Sequence, residues 1–253
     1  MGIFDGRVAL VTGAGSGIGR AISQEMSDRG ATIIVVDRDS AAASATVAAL
    51  PNPSLGRAVV ADVTERSDIR DLVAHVVAEL GRIDILCNNA GILDDYTPCL
   101  DVTDDLWDRV IAVNLTGPFL LAREVIPVML AQGKGAIVNT ASIAAFVTGG
   151  GGTAYTSAKH GILGLTRQLA FEYGRQGIRV NAVAPGAVHT GMTEHLVTAQ
   201  NPNPLVDAAI AGTPAGRWAR PEEIARLVCY LASDDADFVH GSAYAIDGGW
   251  MLP

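Results

Sequence analysis

Tyr155 and Lys159 stand four residues apart in the run Tyr155-Thr156-Ser157-Ala158-Lys159. On a helix, residues at that spacing share one face, a turn apart. Ala158, Ile162, Leu165 and Leu169 recur at helical spacing around them, and Thr153 is placed to cap the start. A phenol and an ammonium are therefore expected to point into the same space. A free phenol has a pKa of about 10, too high for a general base at neutral pH. A neighbouring ammonium favours the phenolate. Lowering that pKa by about three units takes about 4 kcal/mol of differential stabilisation. One buried lysine together with one cationic ligand can provide it. The same spacing also occurs on ordinary solvated helix faces, so the chemistry depends on what the rest of the chain brings to this one.

The elements that must position the pair read as alternating strands and helices. Val8–Val11 is a buried strand, and Thr12-Gly13-Ala14-Gly15-Ser16-Gly17-Ile18-Gly19-Arg20 opens a helix after it. A strand, a glycine loop and a helix N-terminus together make an anion site, because backbone N–H groups and the helix dipole face the ligand. Thr32–Val36 is a second strand ending at Asp37. An acid at that strand tip suits a ribose 2′-hydroxyl and repels a 2′-phosphate.

Further strands are expected over Arg57–Ala61, Ile83–Cys87, Gly135–Ala141, Ile178–Ala184 and Ser242–Ile246. They end at Asp62-Val63, Asn88-Asn89-Ala90-Gly91, Ser142, Pro185-Gly186 and Asp247-Gly248-Gly249. Helices are expected over 40–50, over 65–80 with Gly81 as the stop, from Thr103 to about Ala131 with a kink at Pro118, and from Pro221 to about Ala232. Residues 189–217 are rich in Pro, Asn, Thr and Gly and read as a lid. The pattern predicts one doubly wound α/β domain over residues 1–253, with a seven-stranded, mostly parallel sheet and helices on both faces. Ligands of such sheets bind at the carboxyl ends of the strands. The polar features above all fall there.

Composition narrows the function. Of 253 residues, 49% are hydrophobic and 18% charged, which suits a sizeable core rather than disorder. A net charge of −9 argues against nucleic acid and anionic membrane as partners. Cys87, Cys99 and Cys229 have no metal-type spacing and read as free thiols of a reducing compartment, so a cytoplasmic location is expected. The five histidines form no ligand pattern, and no metal is expected. No apolar signal region opens the chain, and no apolar run is read as long enough for a membrane span.

Taken in order, the glycine loop, Asp62-Val63, Asn88-Asn89-Ala90-Gly91, Asn114, Ser142, Tyr155/Lys159, Pro185-Gly186 and Asp247-Gly248-Gly249 resemble the motifs of the short-chain dehydrogenase/reductases over essentially the whole chain. The resemblance implies a Rossmann fold, NAD as cofactor and a homotetramer. It implies that Tyr155 exchanges a proton with the substrate oxygen, that Ser142 positions that oxygen, and that Lys159 binds the nicotinamide ribose and lowers the tyrosine pKa. Asn114 would hold a water linking Lys159 to solvent. Gly13, Ser16, Ile18 and Gly19 would line the pyrophosphate, Asp37 the adenine ribose, Asp62 and Val63 the adenine, and Asn89 the middle of the cofactor. Val188 and Thr190 would meet the nicotinamide end, and Pro185 would also contact the cofactor.

Within that resemblance the expected substrate is a neutral, fairly apolar secondary alcohol or ketone, cyclic ones included. Its pocket is expected to be walled by Ile92, Leu93, Tyr96, Phe146, Val147, Met192 and Leu196, with no arginine. One alternative is an NADPH-dependent 3-oxoacyl-(acyl-carrier-protein) reductase. Asp37 speaks against it, Arg38 beside it speaks for it, and the net negative charge disfavours an acidic carrier. A second alternative is a non-catalytic cofactor-binding scaffold, against which the intact Ser142/Tyr155/Lys159 set argues. A hydrolase lacks its Gly-x-Ser-x-Gly elbow here.

Overall fold

The computed structural model describes residues 2–194 and 210–252. Its framework is a seven-stranded sheet in the order β3-β2-β1-β4-β5-β6-β7. The strands are β1 Val8–Thr12, β2 Thr32–Asp37, β3 Gly56–Val60, β4 Ile85–Asn88, β5 Gly135–Thr140, β6 Ile178–Pro185 and β7 Ala243–Ile246. Every neighbouring pair is parallel. The intervening helices are α1 Gly17–Asp28, α2 Ser40–Ala48, α3 Arg66–Leu80, α4 Asp104–Ile111, α5 Gly117–Gln132, α6 Thr153–Tyr173 and α7 Pro221–Ala232. Strand order reverses between β1 and β4, which opens a crevice at their carboxyl ends.

Alternation along the strands assigns the two faces. Ala9, Val11, Ile33, Val35, Ile85 and Cys87 pack with Ile22 and Met26 of α1 and with Ile224 and Val228 of α7. Val8, Leu10, Ile34, Val36 and Leu86 pack on the other side with Ile69, Leu72 and Val76 of α3 and with Leu121, Val125 and Met129 of α5. A strand buried on both faces needs apolar residues at consecutive positions, which is why β1 and β2 are nearly continuous Val, Ile, Leu and Ala. Burying each Leu or Ile fully contributes about 1.5–3 kcal/mol.

Three expectations change. The helix expected from Thr103 to about Ala131 is not α-helical throughout: just before Pro118 a π turn over Ala112–Thr116 joins α4 to α5, with the Gly117 N–H bonded to the Ala112 carbonyl. The helical stretch Asp104–Gln132 is also long and apolar enough to cross a membrane, contrary to the reading of the sequence; half of its most apolar window is buried inside the fold, as in a core helix. Thr153 is not the cap of α6: that place belongs to Gly152, which has no side chain to cap with. Most of the expected lid lies outside the described residues, Leu196 included. Its two ends are held together by a parallel bridge between Val188 and Ala219.

Candidate active site

A cleft of about 470 Å³ opens over the carboxyl ends of the strands. It is lined by Gly13, Ser16, Ile18, Asp37, Asp62, Val63, Asn89, Asn114, Ser142, Tyr155, Lys159, Pro185, Val188 and Thr190, so fourteen of the fifteen residues singled out in the sequence meet there. Gly19 is the exception. It is buried in α1, where a Cβ would come within 2.2 Å of the Gly13 carbonyl oxygen and 2.6 Å of Asn89 Nδ2. Its missing side chain lets the helix pack against the loop rather than opening room in the cleft.

One end of the cleft is built for an anion beside a diol. Gly13 and Gly17 adopt φ of +60° and +50°, which side chains rarely tolerate. Ser16 stands at the N-cap of α1 without a side-chain cap bond, so the helix start is not closed by its own cap residue. Asp37 accepts from the Gly15 N–H at 2.9 Å and from the Asp39 N–H at 3.0 Å, one bond to each oxygen. Asn89 ties the loop to the sheet, with Nδ2 donating to the Thr12 carbonyl at 3.1 Å. Glycines where a Cβ would fill the loop, a bare helix start and an anchored acid together fit a dinucleotide.

The other end carries the titratable groups. Tyr155 and Lys159 lie on one face of α6, both buried, with the lysine Nζ 5.4 Å from the centre of the phenol ring. Lys159 donates to the Thr140 carbonyl at 2.8 Å. Burial pushes the Tyr155 phenol up to about 12; the Ser142 hydroxyl opposes this, and Tyr96 and Asp94 add to it. Burial also brings Lys159 down to about 8. In the protein by itself desolvation dominates and keeps Tyr155 protonated, so Lys159 without the cationic ligand expected beside it does not draw the phenol into the neutral range.

Asn114 sits in the π turn. Its Oδ1 accepts from the Ile92 N–H at 3.2 Å, and its Nδ2 donates to the carbonyls of Ile92 at 2.9 Å and Val110 at 3.0 Å. The side chain is thus spent on pinning the β4–α4 loop to the helix. Gly91 lies beside it: a Cβ there would sit 2.9 Å from Asn114 Oδ1 and 3.7 Å from Lys159 Nζ.

The pocket wall differs in part from expectation. Ile92, Leu93, Tyr96 and Met192 line the cleft, whereas Phe146 and Val147 do not, since Phe146 turns to solvent. Trp218 and Trp250 join the wall instead, and Arg38 and Arg109, from outside the segments expected to wall the substrate, line the cleft as well. The tryptophans arrive from the far end of the lid and from the chain after β7, where Ala215 N–H bonds the Gly248 carbonyl. A further unforeseen contributor is Asp94, which bonds the start of α6.

Known proteins are similar to this chain over nearly its whole length. The family model described as enoyl-(acyl carrier protein) reductase matches residues 13–251. The chain belongs to the short-chain dehydrogenase/reductase family. It is 40% identical to levodione reductase of Leifsonia aquatica, over 97% of this chain and 94% of that one. It is 39% identical to 3-oxoacyl-(acyl-carrier-protein) reductase FabG of Thermotoga maritima, over 98% and 99%. It is 38% identical to cyclohexanol dehydrogenase of Acinetobacter sp. (strain SE19), over 98% and 96%. The crystal structure of levodione reductase superposes with a TM-score of 0.92 at 39% identity, covering 97% of this chain and 98% of that one. The protein is therefore an oxidoreductase of a family that binds a nicotinamide cofactor.

Proposed function

We propose that the protein interconverts a neutral, fairly apolar secondary alcohol and its ketone, ring compounds included, with NAD(H) as the cofactor. The observation that carries the cofactor choice is Asp37, anchored through both oxygens at the strand tip, where a 2′-phosphate would meet a fixed negative charge. The substrate class rests on the wall of Ile92, Leu93, Met192, Trp218 and Trp250 beside Ser142 and Tyr155. Two relatives named for levodione and cyclohexanol, both ring compounds, support that choice.

When bound, NAD(H) would supply the hydride donor or acceptor for the carbon that bears the substrate oxygen. Gly13, Ser16 and Ile18 hold its pyrophosphate, Asp37 its adenine ribose, and Asp62, Val63 and Asn89 its adenine and middle. Pro185, Val188 and Thr190 flank the nicotinamide end. Tyr155, kept protonated by burial, gives its proton to the ketone oxygen in reduction and takes it back in oxidation. Ser142, which lines the cleft with that phenol, orients the same oxygen. Lys159 holds the nicotinamide ribose and places a positive charge behind the phenol. Asn114 keeps the β4–α4 loop and the π turn in register, so that its backbone can carry a water to Lys159 in the space that Gly91 leaves open.

An NADPH-dependent 3-oxoacyl-(acyl-carrier-protein) reductase is the second reading, favoured by Arg38 on the cleft wall and by the relative of that name. A panel of cyclic and open-chain secondary alcohols, assayed with NAD+ and NADP+, and a 3-oxoacyl thioester, assayed with NADPH, separates the two. The proposal expects the best kcat/KM for a ring alcohol with NAD+. A thioester preferred with NADPH would establish the second.

A further inference from the structure

The helix that carries Tyr155 begins without a cap of its own. Gly152 occupies its N-cap position, and no residue of the helix satisfies the first N–H groups through a side chain. An uncapped, buried helix start is costly. The deficit is met from the β4–α4 loop, more than fifty residues away in sequence. Asp94 is 1% exposed. Its Oδ1 accepts from the Gly152 N–H at 2.8 Å and its Oδ2 from the Tyr155 N–H at 2.9 Å.

The two segments are fitted to each other. The Asp94 carbonyl accepts from the Thr97 N–H at 3.0 Å, and the Thr97 carbonyl accepts from the Thr153 N–H at 3.2 Å. A Cβ at Gly152 would fall 2.5 Å from Thr97 N and 2.7 Å from Asp94 Oδ2, so the glycine is what lets the carboxylate in. Asp95 and Tyr96 both adopt left-handed φ, 50° and 59°, which costs energy in residues with a Cβ. The loop is thus held in a strained turn with Asp94 directed at the helix and Tyr96 lining the cleft. Asp94 itself does not line the cleft.

We propose that Asp94 is a positioning residue for the reaction: its buried carboxylate is the N-cap of the tyrosine helix, and by holding the backbone of Tyr155 itself it sets where the phenol stands. The charge acts on the phenol in the direction expected for a nearby anion, disfavouring the phenolate. Four groups face that phenol: Lys159 from its own helix, Ser142 from the end of β5, and Tyr96 and Asp94 from the β4–α4 loop. Of these, Asp94 is the one that bonds the tyrosine backbone as well.

The proposal rests on Tyr155 as the proton-transfer residue, and its test reads the phenol directly. Tyr155 ionisation is followed by absorbance near 295 nm in full-length protein saturated with NAD+, as the difference between each protein and the same protein carrying Tyr155→Phe. Asp94→Asn removes the charge and one of the two acceptors. Its Tyr155 midpoint is expected to fall by about half a unit or more, and amide exchange at Gly152 and Tyr155 to quicken, with NADH affinity unchanged. Asp94→Glu keeps the charge but displaces it, so the midpoint stays near that of the unmodified protein while turnover drops about tenfold or more through misplacement. If Asp94→Asn does not fold, the Asp94→Glu pattern decides alone. An unmoved midpoint with unchanged amide exchange in Asp94→Asn, or full turnover in Asp94→Glu, overturns the proposal. Stability lost in either variant without these changes marks a purely structural cap and also overturns it. Turnover retained by Tyr155→Phe alone overturns instead the reading on which it rests.

Discussion

The carboxylate of Asp37 accepts the backbone N–H of Gly15 at 2.9 Å, tying the tip of the second strand to the glycine loop. The fit is close: a Cβ on Gly15 would lie 2.7 Å from the same oxygen. The acid cannot swing away to admit a phosphate without releasing the loop. NAD is accordingly expected to be preferred over NADP by about tenfold or more in kcat/KM, a difference of about 1.4 kcal/mol. Asp37→Ser is expected to narrow the preference and to raise KM for NAD, because the loop loses its anchor. Steady-state kinetics with both cofactors check this, and equal or better kcat/KM with NADP in the unmodified enzyme would refute it.

The phenol of Tyr155 near 12 and the ammonium of Lys159 near 8 make the two directions of the reaction differ in pH dependence. A raised phenol pKa keeps the acid form present through the neutral range, which ketone reduction needs. Alcohol oxidation needs the phenolate, which grows with rising pH. The lysine charge declines above about 8, so activities that depend on it weaken there. The optimum for reduction is therefore expected to lie below that for oxidation. Profiles of kcat/KM in both directions test this; an oxidation optimum on the acid side of the reduction optimum contradicts it.

Asn114 makes three side-chain hydrogen bonds in a buried site, to the N–H and carbonyl of Ile92 and to the carbonyl of Val110. At about 1 kcal/mol net for each bond, Asn114→Ala should cost about 3 kcal/mol of stability. Urea unfolding measures it. A loss below about 1 kcal/mol would mean that water replaces the side chain without strain, and that the loop is not held by this residue.

Assembly is expected to be a homotetramer. Gly161 and Gly164 of α6 differ in what they face. A Cβ on Gly161 would lie 2.7 Å from Leu115 of the same chain, so that glycine serves internal packing, whereas Gly164 faces open space. Trp107 of α4 and Phe119 of α5 stay about 40% exposed. Apolar surface of this kind is what subunits cover. Light scattering is expected to give four times the chain mass of 26.2 kDa. A monomer mass at micromolar concentration rejects it.

Much of this was legible in the residues because it is local. Gly13, Asn89 and Ser142 each follow a strand and Asp37 ends one, and a parallel sheet brings strand ends to one edge whatever the details of packing. Tyr155 and Lys159 are brought together by helical pitch alone. What was not legible depends on long-range packing. Asp94 meets Gly152 and Tyr155 through a strained loop with no periodic signal. Trp218 and Trp250 reach the cleft because the segment after β7 folds onto the base of the lid. The π turn at Ala112–Thr116, just before Pro118, has no signature in the local residue pattern. The high phenol pKa follows from burial, which a residue pattern does not reveal.

The central claim is that the buried phenol of Tyr155 moves the proton. The direct measurement is turnover of Tyr155→Phe, followed as NADH absorbance with the best alcohol from the panel, alongside NADH binding by fluorescence. General acid–base groups contribute about 10²-fold or more. The account predicts that kcat falls at least that far while NADH still binds. A variant that keeps more than about a tenth of the original kcat, with its cofactor bound, would contradict it.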